Sequence, residues 1–429
     1  MVRELKHTEI GDIPVDWELQ TFDETFRVIS NNTLSRENLN DRGGAVRNIH
    51  YGDILTKFPE VLDCSEDEIP FVNDLSLLSS STQLLQDGDI VVADTAEDET
   101  VGKVIEVQNL GDSKLVAGLH TIPCRVKKGD FAPGWLGYYM NSDLFHNQIL
   151  PYITGIKVSS ISKGAISETL ILVPPFDEQE KIVQSLNKIQ LLMTAETKVV
   201  NKIKLVKNGC LSKMFPQKDD TVPEMRLPGF TEAWEQRKLG ELSSSFEYGL
   251  NVAAKEYDGE NKYIRITDID DDSREFKQED ITSPDIDLSS AENYRLSEGD
   301  ILFARTGASV GKSYIYKASD GLVYYAGFLI RARIKSEYNA EFVFQNTLTD
   351  DYEKFIKVTS MRSGQPGVNA QEYSKHQIMV PSKLEQDKIS DCFRSLDNLI
   401  TLHQCKCDKY SNIKKGMMSD LLTGKIRLV

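Results

Sequence analysis

The chain has 429 residues, 40% of them hydrophobic, and a formal net charge of −16 at pH 7. Its length allows two or three ordinary domains, and its composition is typical of a soluble globular protein. The acidic balance argues against simple non-specific binding to nucleic acid. No run approaches 18 apolar residues, which argues against a membrane span, and residues 1–7 open without an apolar core stretch, so no signal peptide is expected.

The globular parts of the chain are predicted to mix short strands, turns and helices. The apolar run Ile90–Ala93 suits a strand, and residues 135–140 suit a helix. A second globular part has a similar strand at Ile301–Ala304 and a helix at 342–348. The pattern therefore predicts an α/β (α+β) protein with two small mixed domains.

A long helix is predicted between the two globular parts, over residues 177–214. Asp177 is its expected N-cap, and Glu180 three residues later would close a capping box. Apolar residues recur at a seven-residue spacing, which is the spacing that two packed helices require. Glu196 and Lys207 interrupt this pattern. The predicted helix-pairing residues are Leu186, Ile189, Met193, Val200 and Ile203. At about 1.5 Å per residue, this helix would be roughly 55 Å long.

A second long helix is predicted near the carboxyl end. Ser382 is its expected N-cap, with Glu385 closing the capping box. Its heptad pattern keeps the register of the first helix, and its predicted helix-pairing residues are Phe393, Leu396, Ile400, Cys407 and Tyr410. Matched registers favour an antiparallel coiled coil of the two helices over packing of each helix on its own domain.

The two halves of the chain are copies of each other. The Val-Pro pair at 173 and the Glu-Gln pair at 178 recur at 380 and 385, an offset of 207 positions that the helices keep without a gap. The globular parts match only at short motifs, among them Val-Gly-Lys at 101 and at 310. A variable unit and a constant helix thus occur twice, which predicts a pseudo-twofold internal repeat.

No catalytic motif stands out in the sequence. Residues 306–313 resemble a phosphate-binding loop but have three residues between the glycines instead of four, which favours a tight turn. Val-Pro-Pro-Phe at 173–176 lacks the asparagine with which adenine methyltransferases hold the target amino group. His403, Cys405 and Cys407 do not share one helix face, and the six cysteines show no framework spacing. We therefore expect a non-catalytic, metal-free cytoplasmic chain with free thiols.

The charge is unevenly distributed along the chain. Both long helices are net positive, so the acidic excess lies in the variable units. Arginine and asparagine have the fork geometry that suits base edges. The candidate DNA-binding residues of the first unit are Arg47, Asn48, His50, Tyr51, Lys157, Ser159 and Lys163. Those of the second unit are Arg265, Thr267, Arg305, Arg362, Gln365, Asn369 and Gln371.

Together these features resemble the specificity subunit of type I restriction-modification systems. The resemblance covers the whole chain, and its most specific element is the Val-Pro and Glu-Gln-x-Lys-Ile helix entry, which occurs twice. It implies that each variable unit is a target recognition domain for one half of a bipartite double-stranded DNA site. The helices would set the spacer and dock two modification subunits that hold S-adenosylmethionine. Restriction subunits, two where present, would use ATP and Mg.

The repeat and the resemblance predict four segments. These are target recognition domain 1 (1–175), long helix 1 (176–215), a linker with target recognition domain 2 (216–381), and long helix 2 with a C-terminal tail (382–429).

Two alternative functions remain, a coiled-coil scaffold without DNA readout and a nucleotide-using enzyme. Two diverged globular units favour the DNA reader, since a scaffold does not need two different readers.

Overall fold

The computed structural model describes residues 4–155, 157–217, 220–361 and 366–428. The chain divides into unit 1, Met1–Glu196 with Lys406–Val429, and unit 2, Thr197–Cys405. Each unit therefore combines one globular part with one part of each long helix. Arg362 and Gln365, two of the predicted DNA contacts, lie outside the described residues.

The globular part of unit 1 contains fifteen strands among the described residues. They are β1 (Leu5–Thr8), β2 (Gly11–Pro14), β3 (Glu18–Thr21), β4 (Phe26–Val28), β5 (Leu39–Asn40), β6 (Arg47–Ile49), β7 (Val61–Asp63), β8 (Phe71–Val72), β9 (Ile90–Ala93), β10 (Thr95–Ala96), β11 (Val104–Gln108), β12 (Leu115–Ala117), β13 (Thr121–Val126), β14 (Ser159–Ser160) and β15 (Leu170–Val173). The helices are α1 (Phe22–Thr25), α2 (Tyr51–Thr56), α3 (Trp135–Tyr139), α4 (Asp143–Ile149), α5 (Lys163–Ser167) and the long α6 (Phe176–Met214).

Strand β9 is the centre of the main sheet in unit 1, whose order is β4-β13-β9-β11-β7. All four of its residues are buried. Ile90 and Val92 belong to one hydrophobic cluster, and Val91 and Ala93 to another. Successive side chains of a strand point to opposite faces, so this unbroken apolar run fits a strand that is covered on both sides.

Unit 2 repeats this plan with a smaller sheet. Its strands are β16 (Glu235–Lys238), β17 (Ser243–Tyr248), β18 (Ala254–Glu256), β19 (Asn261–Ile264), β20 (Thr282–Pro284), β21 (Ile301–Ala304), β22 (Ser313–Ile315), β23 (Leu322–Tyr325), β24 (Leu329–Ile334) and β25 (Gln377–Val380). Its helices are α7 (Leu239–Leu242), α8 (Ala340–Asn346), α9 (Asp350–Ser360), α10 (Ala370–Ser374) and the long α11 (Lys383–Leu421). The main sheet has the order β17-β24-β21-β22, so the buried strand β21 lies inside it, as β9 does in unit 1.

The two long helices pair antiparallel within each unit. In unit 1, Lys414 donates to Gln190 over 2.7 Å, and Lys406 lies 3.6 Å from Glu196. Between these two contacts the residue number increases along α6 and decreases along α11, which is the pattern of an antiparallel pair. In unit 2, Lys207 donates to Asp397 over 2.6 Å, so this polar break in the predicted seam is compensated by an ion pair. The ten predicted helix-pairing residues are all buried or half-buried, which agrees with a packed seam, and their pairing residue by residue stays a prediction.

The helix starts differ in part from the prediction. Helix α6 begins at Phe176, so Asp177 lies inside the first turn, and its assignment as N-cap, with a capping box to Glu180, was wrong. Helix α11 does begin directly after Ser382, whose hydroxyl accepts from the Glu385 amide over 3.4 Å. The Glu385 carboxylate is bound by the Arg226 guanidinium, because a charged partner competes better for it than a backbone amide does.

The repeated Val-Gly-Lys motif is a turn between strands, as predicted. Gly102 and Gly311 have φ angles of +88° and +86°, values that residues with a side chain rarely adopt. A Cβ atom at Gly102 would lie 2.2 Å from Ile149 Cδ1, and one at Gly311 would lie 2.6 Å from Ile356 Cγ2. The glycines are therefore required by the backbone and by the neighbouring helix, and they need no bound phosphate to explain them.

His376 is expected to make unit 2 sensitive to acid. Its ring is buried beside Phe355, with 4.4 Å between ring centroids, and burial lowers the pKa of His376 to about 4. The folded pKa lies below the unfolded value of about 6.5, so the stabilisation is complete above pH 6.5 and is lost as the pH falls toward 4. We expect the free energy of unfolding to drop by about 2 kcal/mol between pH 7.5 and 5.0 through this residue.

The His376→Phe variant should lose this part of the pH dependence. The measurement is hydrogen exchange of the β25 amides at pH 7.5 and 5.0, corrected for the intrinsic exchange rates. His7→Gln is the control, because the His7 side chain is 88% exposed. An unchanged pH dependence in His376→Phe would show that another group controls the acid sensitivity.

Candidate DNA-recognition surface

Near the end of strand β9 lie two of the predicted residues of unit 1, Tyr51 and Ser159. The amide of Asp94 donates to the carbonyl of His120 over 3.1 Å, and the amide of Ile161 donates to the carbonyl of Asp94 over 2.9 Å. Strand β10 then pairs with β14, so that Ala96 lies opposite Ser159. The loops before β13 and after β14 thus meet directly beyond the central strand.

The end of strand β21 has the same backbone contacts in unit 2. The amide of Arg305 donates to the carbonyl of Phe328 over 3.0 Å, and the amide of Val368 donates to the carbonyl of Arg305 over 2.9 Å. Asp94 and Arg305 therefore occupy equivalent positions. We call this region the strand-end surface of each unit. It comprises Tyr51, Asp94, Thr95, His120 and Ser159 in unit 1, and Tyr248, Arg305, Thr306, Phe328 and Asn369 in unit 2.

The strand-end surface of unit 1 is built from an acid, an imidazole and an aromatic ring. Asp94 Oδ1 lies 3.3 Å from His120 Nδ1 and accepts from the Thr95 hydroxyl over 2.8 Å. The Tyr51 ring packs edge-on against His120, with 5.2 Å between centroids. Burial lowers the pKa of His50, and its neutral Nδ1 accepts from the Gly52 amide at the start of α2. His50 thereby positions Tyr51.

Arg47 and Asn48 are structural residues in unit 1. Asn48 is fully buried, and its Oδ1 accepts from Asn32 Nδ2 over 2.7 Å. Arg47 is half-buried and donates to the carbonyl of Cys64 over 2.6 Å. The prediction that Asn48 reads bases is not supported, because its amide lies inside the domain.

The other predicted cations of unit 1 remain at the surface. Lys157 and Lys163 are exposed, and Ser159 is half-buried beside β10. Lys163 opens α5 directly after Ser162, whose hydroxyl accepts from the Ala165 amide over 3.1 Å. Both lysines can contact phosphate without leaving their positions, which remains a prediction.

Arg265 is already paired within unit 2. Its Nε and Nη2 atoms each donate to the Asp268 carboxylate over 2.9 Å. The Thr267 hydroxyl donates to the same carboxylate over 3.0 Å. Base reading by Arg265 would require this bidentate pair to open, so the acidic stretch near 268 weakens the prediction at this residue.

Two further predicted residues of unit 2, Asn369 and Gln371, lie at the start of α10. The Asn369 side chain accepts from the Glu372 amide over 3.0 Å and so caps the helix, while Gln371 is exposed on its first turn. Neither residue has a contact that indicates a ligand. Their assignment to DNA remains a prediction.

Arg305 differs from these residues in its surroundings. Its guanidinium carbon lies 5.1 Å from the centroid of the Tyr248 ring and 5.8 Å from that of Phe328. These rings are 43% and 55% exposed, so both leave apolar area in contact with solvent beside the guanidinium. Within the described residues, no carboxylate lies within ion-pair distance of Arg305.

Six residues of this surface escaped the sequence prediction: Asp94, Thr95, His120, Tyr248, Thr306 and Phe328. Asp94 directly follows a strand matched in both copies, and Phe328 follows the matched Ala-Gly pair at 326. Their positions beside repeated motifs could have identified them. Tyr248 carried no such signal, because only the pairing of β17 with β24 brings it to this place.

Potential metal ligands are dispersed in the described parts of the chain. No group of three or more His, Cys, Asp or Glu residues there is arranged to hold a metal ion. All six cysteines are free thiols. Nor does any helix within those parts have the length and apolar character needed to cross a membrane.

A duplicated framework that presents two different polar surfaces defines the class of protein as a recognition protein with two reading units. The chain matches the family described as type I restriction modification DNA specificity domain over residues 14–205 and 231–409. It is 23% identical over 435 residues to the MjaX type I restriction enzyme specificity subunit of Methanocaldococcus jannaschii, covering 99% of this chain and 96% of the relative. It is also 23% identical over 282 residues to the MjaVIII specificity subunit of that organism, covering 64% and 66%.

A crystal structure of a type I restriction-modification S subunit from M. genitalium has the same fold. The TM-score is 0.55 at 14% sequence identity, covering 98% of this chain and 99% of the other. The chain belongs to the type I restriction-modification DNA specificity family. It is a specificity subunit, which recognises DNA sequence and is not the catalytic subunit. The alternatives of a scaffold without DNA readout and of a nucleotide-using enzyme are not supported.

Proposed function

We propose that unit 1 and unit 2 each read one half of a bipartite double-stranded DNA site. The observation that carries this proposal is the equivalence of Asp94 and Arg305, which have the same backbone contacts and opposite charges. A common framework places both side chains at the end of the central strand, while their chemistry selects different bases. Two equivalent positions with different chemistry suit a site whose halves differ in sequence.

We further propose that the paired helices set the spacer between the half-sites and dock two modification subunits. In unit 1, Leu191 of α6 is 70% exposed, and in unit 2, Leu205 of α6 and Leu402 of α11 are 72% and 52% exposed. Exposed apolar side chains on a helix that already has a partner on its other side favour a further protein interface. These leucines flank the heptad seam and do not belong to it.

The cofactors are proposed to lie on the partner subunits. S-adenosylmethionine would bind the modification subunits, and ATP and Mg would serve two restriction subunits where these are present. The segment boundaries after 175, 215 and 381 are part of the proposal and agree closely with the bounds of α6 and α11. DNA as the ligand, together with free thiols, suits the cytoplasm.

An exchange of one unit tests the proposal. Residues 1–175 are replaced by the corresponding unit of another specificity subunit, and the chimera is assembled with its modification subunits. Sequencing of the methylated bases should show one changed half-site and one unchanged half-site. Exchange of residues 216–381 should change the opposite half.

The chain without partners is the control, and we expect it to transfer no methyl groups and to hydrolyse no ATP. A chimera that changes both half-sites, or neither, would contradict the assignment of one half-site to each unit.

A further inference from the structure

We infer that Arg305 reads a guanine in the half-site of unit 2 and that Asp94 reads a cytosine in the half-site of unit 1. This inference rests on the proposed function, and it names the side chains that carry specificity. It follows from three features of the strand-end surfaces, namely their equivalent position, the available donors of Arg305 beside two exposed rings, and the free acceptor of Asp94.

The first feature is the equivalence of the two positions. Both residues directly follow the central strand of their sheet, and both use their amide and carbonyl groups in the same two backbone contacts. The backbone is therefore held on both sides, which leaves the side chain as the variable part. Fixing a base-reading side chain on a rigid strand end limits the entropy lost on binding.

The second feature is that Arg305 keeps its donors available. In the same sheet, the guanidinium groups of Arg331 and Arg333 bind Glu247 and Asp300, respectively. Arg305 instead contacts the rings of Tyr248 and Phe328. A ring that stacks on a guanidinium uses its face and leaves the N–H groups in the plane of the fork unused. That fork matches O6 and N7 of guanine in the major groove.

The exposed Phe328 ring adds an apolar contact beside the arginine. Phenylalanine at a protein–DNA interface suits the methyl group of thymine. Because Phe328 is 55% exposed, its ring can bury further apolar surface when DNA binds. The half-site of unit 2 is therefore expected to contain a guanine next to a thymine contact.

The third feature is that Asp94 offers one free acceptor. Its Oδ1 atom accepts from Thr95 and faces His120. No described residue bonds to its Oδ2 atom, and the side chain is 27% exposed. A carboxylate at a base edge accepts from the N4 amino group of cytosine. The carboxylate also repels guanine O6 and thymine O4, which are hydrogen-bond acceptors in the major groove, where cytosine presents its N4 donor.

Modified bases test the role of Arg305. The complete complex with its modification subunits is bound to duplexes in which each guanine of the recognised site is replaced in turn by 7-deazaguanine, which lacks the N7 acceptor. The wild-type complex should lose about 10-fold in affinity at one guanine of the unit 2 half-site. The Arg305→Ala complex should be insensitive at that guanine and should relax specificity at that base pair alone.

Two further variants separate reading from folding and from charge. Arg305→Lys keeps the charge and should keep most of the affinity while losing the preference for guanine. Arg237→Ala removes an exposed arginine of unit 2 at β16 and should leave the 7-deazaguanine pattern unchanged. An Arg305→Ala complex that loses affinity equally for all duplexes, or keeps the wild-type pattern, would overturn the inference.

Asp94→Asn tests the other half of the inference. It should change the preferred base at one position of the unit 1 half-site, by about 10-fold in relative affinity, and leave the unit 2 half-site intact. Asp98→Asn is the matched control, since it removes the same charge just beyond β10, at a side chain that bonds to Thr100. An unchanged preference in Asp94→Asn overturns the assignment of cytosine. A wild-type complex without sequence-specific methylation would instead contradict the proposed function itself.

Discussion

Replacing Arg427 with alanine is expected to lower the free energy of unfolding of unit 1 by about 3–5 kcal/mol. The Glu178 side chain is 1% exposed, and Arg427 donates to its two carboxylate oxygens over 2.6 and 2.7 Å. The Trp17 indole donates to the same carboxylate over 2.9 Å. Without the guanidinium, Glu178 would remain as a buried charge with one neutral partner, which accounts for the size of the effect.

Tryptophan fluorescence during denaturant unfolding measures this change. The background carries Trp234→Phe, so that Trp17 and Trp135 report on unit 1 alone. Arg42→Ala is the control, because Arg42 is an exposed arginine of unit 1 and its removal should change the free energy of unfolding by less than about 0.5 kcal/mol. Adding Glu178→Gln to Arg427→Ala should recover part of the loss, since the buried charge is then removed.

Arg226→Ala should have the corresponding effect on unit 2. Arg226 donates over 2.8 Å to both oxygens of Glu385, whose side chain is 2% exposed.

Arg226 precedes the tryptophan of its own repeat in the sequence, whereas Arg427 reaches unit 1 from the C-terminal tail. Truncation before Lys425 should therefore destabilise unit 1 and spare unit 2. Unfolding of Arg427→Ala at the wild-type denaturant concentration would show that the Glu178 pair does not stabilise unit 1.

A seven-residue insertion in both long helices is expected to lengthen the spacer of the DNA site by about three base pairs. A heptad adds about 10.5 Å to a helix and leaves the seam register intact. Successive base pairs lie about 3.4 Å apart along the duplex. The insertions are made near Thr197 and Gln404, where both helices pass from one unit to the other. Each half-site should keep its own sequence, because neither reading unit is altered.

Sequencing of methylated sites gives the readout for the insertion. Three base pairs also rotate the far half-site by about 100°, given 10–10.5 pairs per turn. The binding assay therefore includes duplexes whose spacers are lengthened by zero to eleven base pairs, so that a full turn is sampled. A single-helix insertion is the control and should disrupt pairing of the seam. An active double insertion that still selects the original spacer would show that the helices do not set the distance.

The helices and the duplication could be predicted from the sequence because they rest on regular, local patterns. The heptad positions from Leu186 to Ile203 and from Phe393 to Tyr410 form the less exposed side of each helix, as the periodicity required. The strands at 90 and 301 were equally clear, because an unbroken apolar run between turns has few other interpretations. The N-cap was wrongly assigned to Asp177 because the helix begins at Phe176, one residue before the nearest good capping residue.

By itself, the sequence determined the class of protein, the repeat, the paired helices and the absence of a recognisable catalytic motif. Only the tertiary structure decided which polar side chains are free to meet DNA. Asn48, Arg265 and Arg305 are all plausible readers as residue types, yet the first is buried, the second is neutralised by Asp268, and the third lies between two exposed rings. The physical reason is that a side chain's availability depends on its partners in space. Tyr248 and Phe328, which leave the donors of Arg305 unused, are brought to it only by the pairing of strands distant in the chain.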